Sequence, residues 1–289
     1  MATVIEREQV VARPTGGALG ADIEGVDLAG PLSPETVAAI KQAWGEHLVL
    51  RFRGQHLSDD DLMRFSHQFG ELDWAPVAAA NDAPEGRAYV MVVSNVIEDG
   101  KAIGQLGAYE AIWHTDMSYV QEPPSASALY ALEVPSEGGD TGFCNMYRAY
   151  ETLPDELRRQ AARLLCRHDA SRNSAGELRR GFVDASDPSQ TIGAEHPLVR
   201  THPVTGRQAL FLGRRRNAYI PGLPLTASES LLDALWAHAA KDEFTWYQQW
   251  RAGDLILWDN RCVMHRRDAF DPATRRVMHR TQIKGDRPF

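Results

Sequence analysis

Apolar positions along the chain fall into two patterns. Short runs rich in β-branched or apolar residues read as strands: HLVLRF (47–52), YVMVVSNV (89–96), ASALYALEV (126–134), QALFLG (208–213), GDLILWDN (253–260) and RVMHRTQI (276–283). Longer stretches bracketed by capping residues read as helices. Ser33 can cap a helix with Pro34 in its first turn that continues through ETVAAIKQAWGEHL. Ser58 can cap a second, DDDLMRFSHQFG, whose early acids suit the helix dipole. A third runs from about Leu153 through PDELRRQAARLL, and Thr226 with Glu229 forms a capping-box pattern ahead of SLLDALWAHAAK. Strands and helices do not alternate as a βαβ array requires. The pattern predicts a mainly β fold, a sandwich or jelly roll with flanking helices. The polar, turn-rich stretch 168–197 reads as an excursion over the surface, of the length that forms lids.

Composition narrows the class. At 289 residues and 43% hydrophobic, the chain can fill the core of one large domain, taken as 1–289. A formal charge of −8 without a long basic run argues against a nucleic-acid partner. No run of 18 apolar residues predicts a membrane span. The opening MATVIEREQVVARPTGG lacks the apolar core of a signal peptide. Cys144, Cys166 and Cys262 form no CxxC pair, which suits a reducing compartment, so the expected location is the cytoplasm.

The stretch WHTD (113–116) raises the question of chemistry. On a strand, residues two apart share a face, so His114 and Asp116 converge while Trp113 and Thr115 turn away. One imidazole and one carboxylate are two ligands of a 2-His-1-carboxylate facial triad, which binds Fe(II) and leaves open positions. A bare HxD is short and chance matches are frequent, so on its own it reads first as a solvated polar pair. A jelly roll brings distant strands together, so His265 can supply the third ligand or serve as a hydrogen-bonded structural histidine. On the 276–283 strand, Arg276, Met278, Arg280 and Gln282 share one face. Two arginines there either face water or meet anions, for which the planar guanidinium fork is suited.

WHTD, EGGDTGFCNMYRAYETLP, HPLVRTHPVTGRQALFLG and WDNRCVMHRRDAFDPATRRVMHRTQIKG, taken in order, resemble the taurine dioxygenase / 2,4-dichlorophenoxyacetate dioxygenase family, from roughly Ala18 to Arg287. The resemblance implies a double-stranded β-helix and an oxygenase that uses Fe(II), 2-oxoglutarate and O2. It implies that His114, Asp116 and His265 bind iron. It implies that Thr141 and Arg280 hold the far carboxylate of 2-oxoglutarate, and that Arg276 meets an acidic group of the substrate. The expected reaction hydroxylates a C–H bond with release of succinate and carbon dioxide, and the product can collapse with ether cleavage. Glu110 stands where the taurine enzyme has a substrate-contacting asparagine, and a carboxylate there disfavours a sulfonate. A small anionic aryloxyalkanoate or related aromatic acid is therefore the first expectation, with an alkylsulfonate or sulfate ester as the alternative. The segments 73–87 and 104–112 are expected at the entrance, and family members form dimers or tetramers. Two rival readings are a zinc hydrolase or isomerase, which has no use for Thr141 and Arg280, and a metal-binding sensor with a vestigial site.

Other residues read as structural. Trp113 belongs to the core, Trp258 and Asp259 to a strand end and turn, and His279 to packing or surface. Met264 and Met278 fill gaps, and Gly138 and Gly139 shape the turn before Thr141. Arg275 faces solvent, and Cys144 and Cys262 are not nucleophiles.

Overall fold

All but one of the apolar runs contribute strands to two facing sheets; Gln208–Leu210 pairs instead with Val199–Thr201 in a separate two-stranded sheet. In the computed structural model, residues 10–75, 89–108, 111–174, 176–179, 181–183, 187–213 and 216–289 are described. Eight strands form the larger sheet: β1 (Val11–Pro14), β2 (Ala21–Glu24), β3 (Val49–Phe52), β4 (Met91–Ser94), β5 (Gln105–Leu106), β7 (Ala126–Glu133), β10 (Leu255–Asp259) and β12 (Val277–Ile283), in the spatial order β1-β2-β3-β10-β7-β12-β4-β5. Four form the smaller: β6 (Ala111–His114), β8 (Thr141–Asn145), β9 (Thr245–Gln248) and β11 (Val263–Arg267), in the order β9-β8-β11-β6. The helices are α1 (Pro34–His47), α2 (Asp59–His67), α3 (Met146–Glu151), α4 (Asp155–Ala161) and α5 (Leu225–Ala239).

Both faces of the larger sheet are covered, which explains its nearly continuous apolar strands. Ala128, Tyr130, Leu255, Leu257 and Ile283 pack with Ile40 and Trp44 of α1 and Leu62 and Phe65 of α2. The alternate positions Leu129, Ala131, Ile256, Trp258 and Met278 face the smaller sheet, where Phe143 meets Trp258 at 5.7 Å between ring centroids. Strand alternation thus sends one set of side chains to the helices and the other into the space between the sheets. On β12, His279 reaches Asp59 of α2 and Thr281 reaches Ser66, while Arg280 and Gln282 take the inner face. Among the described residues no helix is long and apolar enough to cross a membrane.

The first two helix starts agree with the sequence. Ser33 accepts the Thr36 N–H with Pro34 at the first helical position, and Ser58 forms a reciprocal capping box with Asp61. The other two differ. The helix expected from about Leu153 to Leu165 is confined to Asp155–Ala161 and is preceded by the short α3, which Asn145 caps. Thr226 and Glu229 are not a cap. Helix α5 begins at Leu225, and the carbonyl of Pro224 takes the N–H groups of Ala227 and Ser228, so Thr226 already lies inside the first turn. Stretch 168–197 is not a bare surface excursion. Its ends continue the antiparallel pairing of 165–167 with 195–197, and His168, Asp169, Ala170, Ala194 and His196 are buried. His168 packs on His196 and Phe211, an aromatic cluster that the polar composition conceals.

Hydrogen bonds from the Ser58 side chain and backbone, then from Arg64, hold the Asp61 carboxyl down to about 2. A carboxyl lowered in the fold contributes stability above its ordinary range near 4 and loses it as pH falls toward 2. Ser58→Ala is expected to lower the unfolding free energy by about 1 kcal/mol at pH 7. That difference should shrink between pH 4 and pH 3 when urea denaturation is followed at each pH.

Candidate metal and cosubstrate site

The three sequence-distant residues converge between the sheets. β11 pairs with β6 so that His265 stands directly opposite His114, with ring centroids 4.2 Å apart. Strand β6 ends at His114, so Asp116 lies just beyond the ladder, yet its side chain returns to the same side. Asp116 Oδ1 is 3.7 Å from His114 Nε2 and 3.8 Å from His265 Nε2. Two ligands each about 2.1 Å from a shared ion stand at most about 4.2 Å apart, so these separations admit one ion. All three residues are buried.

The donor chemistry fits a divalent ion. His114 Nδ1 donates to the Ile112 carbonyl at 2.7 Å, which fixes the tautomer and leaves the Nε2 lone pair toward Asp116. Burial alone would raise the Asp116 carboxyl pKa. The charge of Arg280, those of His265 and His114 whenever these imidazoles are protonated, and a 2.8 Å hydrogen bond from the Ser127 hydroxyl outweigh it, so the group lies well below the ordinary carboxylate range. An anionic oxygen and a directed imidazole lone pair at this distance are what an ion with nitrogen and oxygen ligands requires.

A cavity of about 510 Å³, open mouth included, extends from the triad. Val93, Leu106, Ala111, Leu129 and Trp258 give it an apolar wall, and Thr141, Arg267, Arg276 and Arg280 bring polar groups into it. Ser174 also lines it, and its carbonyl accepts the Ile112 N–H at 3.2 Å, so stretch 168–197 reaches the site. Thr141 sits two residues along β8 from Phe143, the partner of His265, or about 7 Å from the level of the triad. Its hydroxyl oxygen accepts Trp250 Nε1–H at 2.9 Å, which leaves the hydroxyl proton to donate elsewhere. The turn that delivers Thr141 needs Gly138. Its φ is +74°, and a Cβ there would lie 2.8 Å from the Ala269 carbonyl oxygen.

The two arginines stand at opposite ends of the cavity. Arg280 Nη1 lies 3.2 Å from Asp116 Oδ1, beside Met91, which puts this guanidinium at the triad. Arg276 is buried near Gly139 and Asp140, next to Thr141, and over Phe270. Burial pushes it down to about 9, with Arg267 adding to the fall and Asp140 opposing it. Arg276 precedes β12 and Arg280 lies within it, with a bulge between Val277 and Met278, so the two guanidiniums enter the cavity at different levels. Neither arginine faces water. Arg275 does, in ion pairs with Glu133 and Glu98. Glu110, expected near the substrate, lies outside the described residues, as do 76–87 of the expected entrance.

Several supports carry no local signal in the chain. Trp250 orients Thr141, Ser127 orients the Asp116 carboxylate, and Asn260 bonds the Asp116 backbone. Trp258, read as part of a strand end, packs on His265 at 4.9 Å and lines the cavity. Trp113 is only partly buried, at the outer side of the smaller sheet near Tyr247.

A second cluster, His202, Asp259 and Cys262, has the residue types of a metal site but is already a closed network. Arg261 Nε and Nη2 reach the two Asp259 oxygens at 2.8 and 2.7 Å. His202 Nδ1 accepts the N–H groups of Val204 and Thr205, so its Nε2 carries the proton and donates to Asp259 at 3.0 Å. Burial pushes the Cys262 thiol well up, which disfavours the thiolate.

Comparison with known proteins bears on this geometry. The family model described as "Taurine catabolism dioxygenase TauD, TfdA family" matches residues 12–282. The chain is 37% identical over 288 residues to the alpha-ketoglutarate-dependent 2,4-dichlorophenoxyacetate dioxygenase of Cupriavidus pinatubonensis, covering 96% of this chain and 98% of that protein. It is 32% identical over 300 residues to the alpha-ketoglutarate-dependent sulfate ester dioxygenase of Pseudomonas putida, covering 100% and 94%. The crystal structure of AAD-2 in complex with Mn(II) and N-oxalylglycine superposes with a TM-score of 0.78 at 29% identity, covering 97% of this chain and 99% of that one.

Two substitutions separate the two clusters. Asp116→Ala is expected to abolish Mn(II) binding in a calorimetric titration, and Cys262→Ala to leave it within twofold of wild type. The reverse pattern would move the ion to the second cluster.

Proposed function

Because the chain belongs to the TauD/TfdA family, and so to the dioxygenases that use Fe(II), 2-oxoglutarate and O2, we propose that it hydroxylates a C–H bond of a small monoanionic aromatic acid, an aryloxyalkanoate first. The two sheets would be the halves of a double-stranded β-helix, and His114, Asp116 and His265 would hold the iron on one face. When bound, Fe(II) and 2-oxoglutarate supply an oxidative decarboxylation that yields succinate and carbon dioxide and delivers one oxygen atom to the substrate. An ether carbon hydroxylated in this way collapses with loss of the aryloxy group.

The chain's own residues do the positioning. Arg276 and the Thr141 hydroxyl would take the far carboxylate of 2-oxoglutarate, since they share the end of the cavity about 7 Å from the triad, the reach of a five-carbon diacid. Arg280, held at Asp116, would receive the anionic group of the substrate. Val93, Leu106, Leu129 and Trp258 would pack the apolar body and exclude water from the reacting carbon. Ser174 would close one side.

Charge supports a monoanion. Three guanidiniums, Arg267, Arg276 and Arg280, meet two carboxylates, Asp116 and Asp140, in or beside the cavity. Adding a divalent ion leaves a positive excess equal to one dianionic cosubstrate plus one singly charged substrate. The single observation that carries the aromatic-acid reading is the apolar wall ending in Trp258 beside a guanidinium at the metal end. The sulfate ester activity named for the P. putida relative keeps an alkyl sulfate as the second arm of the test. All three cysteines are buried without a disulfide, which suits the cytoplasm.

The test is succinate release with Fe(II), ascorbate and 2-oxoglutarate over a panel of aryloxyalkanoates, alkylsulfonates and alkyl sulfates. Turnover is expected to be fastest with an aryloxyalkanoate. Faster turnover of an alkyl sulfate would replace the aromatic-acid reading. A charge-assisted hydrogen bond contributes about 1.5–3 kcal/mol, or about ten- to a hundredfold in affinity. Arg276→Met should therefore raise the KM for 2-oxoglutarate by that factor, and Arg280→Met the KM for the substrate. Opposite effects would restore the arrangement that the family resemblance implied.

A further inference from the structure

We infer that Asn260 is the positioning residue that sets where the Asp116 carboxylate stands, an inference that rests on the reading of Asp116 as an iron ligand. The Asp116 peptide has no ladder partner, because β6 ends at His114. Its N–H donates to Asn260 Oδ1 at 2.9 Å, and its carbonyl accepts Asn260 Nδ2–H at 3.0 Å. The same Nδ2 donates to the Pro124 carbonyl at 2.8 Å. A carboxamide presents an acceptor and a donor side by side, as the edge of a strand does, so the Asn260 side chain serves as a one-residue strand for Asp116.

The backbone needs that hold. The next residue, Met117, has φ +47°, a conformation unfavourable for a residue with a side chain, and such strain persists only where surrounding contacts impose it. Ser127 aims the carboxylate, but a hydrogen bond to one oxygen does not fix the Cα behind it. Asn260 can fix it because Asn260 is itself immobile. It is 1% exposed, and its own N–H donates to the Ser125 carbonyl at 3.0 Å. Its neighbour Asp259 is locked by Arg261 and His202. The same turn opens β11, which carries His265. One rigid corner thereby places an imidazole ligand directly and the carboxylate ligand through a side chain. The buried network around Asp259 finds its use here, as the footing of Asn260.

The test is calorimetric titration of the metal-depleted protein with Mn(II), with the visible bands of the Co(II)-loaded protein and thermal unfolding measured on the same samples. Asp116→Ala should lose Mn(II) binding; if it binds like wild type, the reading of Asp116 as a ligand fails and takes this one with it. Where Asp116→Ala loses the ion, Asn260→Ala and Asn260→Asp are expected to weaken Mn(II) about ten- to a hundredfold, the usual effect of removing a group that orients a ligand, and to shift the Co(II) bands. Asn260→Asp keeps the volume and the Oδ1 acceptor but sets a carboxylate oxygen against two carbonyls, and it decides alone should Asn260→Ala fail to fold. Ser66→Ala removes a buried hydroxyl partner of Thr281 on the helix side of the larger sheet. It should lower the Tm while leaving Mn(II) affinity and Co(II) bands unchanged. Mn(II) affinity of Asn260→Asp within twofold of wild type, or a loss matched by Ser66→Ala, overturns the inference.

Discussion

An ionised carboxyl group far from water is tolerable only where positive charge and hydrogen-bond donors surround it. Asp116 meets that condition with the Arg280 guanidinium and the Ser127 hydroxyl, and two imidazoles that can share a cation with it stand alongside, each group from a different strand. His114 comes from β6, His265 from β11, Ser127 from β7 and Arg280 from β12. Misregister in either sheet would leave this charge without partners. The site is therefore a consequence of the whole sandwich, and the register of both sheets is fixed by it in turn.

The division of labour between the sheets follows from side-chain alternation. On β12 the odd positions His279 and Thr281 tie the sheet to α2, and the even positions Arg280 and Gln282 face the chemistry. Helices α1 and α2 contribute no residue to the cavity lining, and they seal the far face of the larger sheet. Binding groups are spread along the space between the sheets. The triad and Arg280 lie at one level, and Thr141, Arg276 and Trp250 lie at another. A cosubstrate with two carboxylates separated by a short chain matches that spacing.

Much of this was legible in the chain. The β-rich pattern, two helix caps and the pairing of His114 with Asp116 are local features that alternation and capping chemistry reveal. The meeting of His265 with His114 is a cross-strand contact between distant segments, and it came from the order of motifs rather than from either histidine. The placement of the two arginines depends on the fold in the same way. Parity correctly puts Arg276 and Arg280 on one face, but not which end of the cavity each reaches, because that depends on a bulge and on the opposing sheet. Asn260, Ser127 and Trp250 left no local signal, since their roles consist of contacts made across the fold. Asp259 and Asn260 read as a turn, and they are one; what the turn holds is visible only in three dimensions.

The account stands or falls on one ion held by three side chains. X-ray absorption at the iron edge of the protein loaded with Fe(II), paired with anomalous diffraction from the same preparation, measures that directly. Iron is expected about 2.0–2.3 Å from His114 Nε2, His265 Nε2 and an Asp116 oxygen. Iron ligated by fewer than two imidazoles, or located at His202 and Asp259, would contradict it.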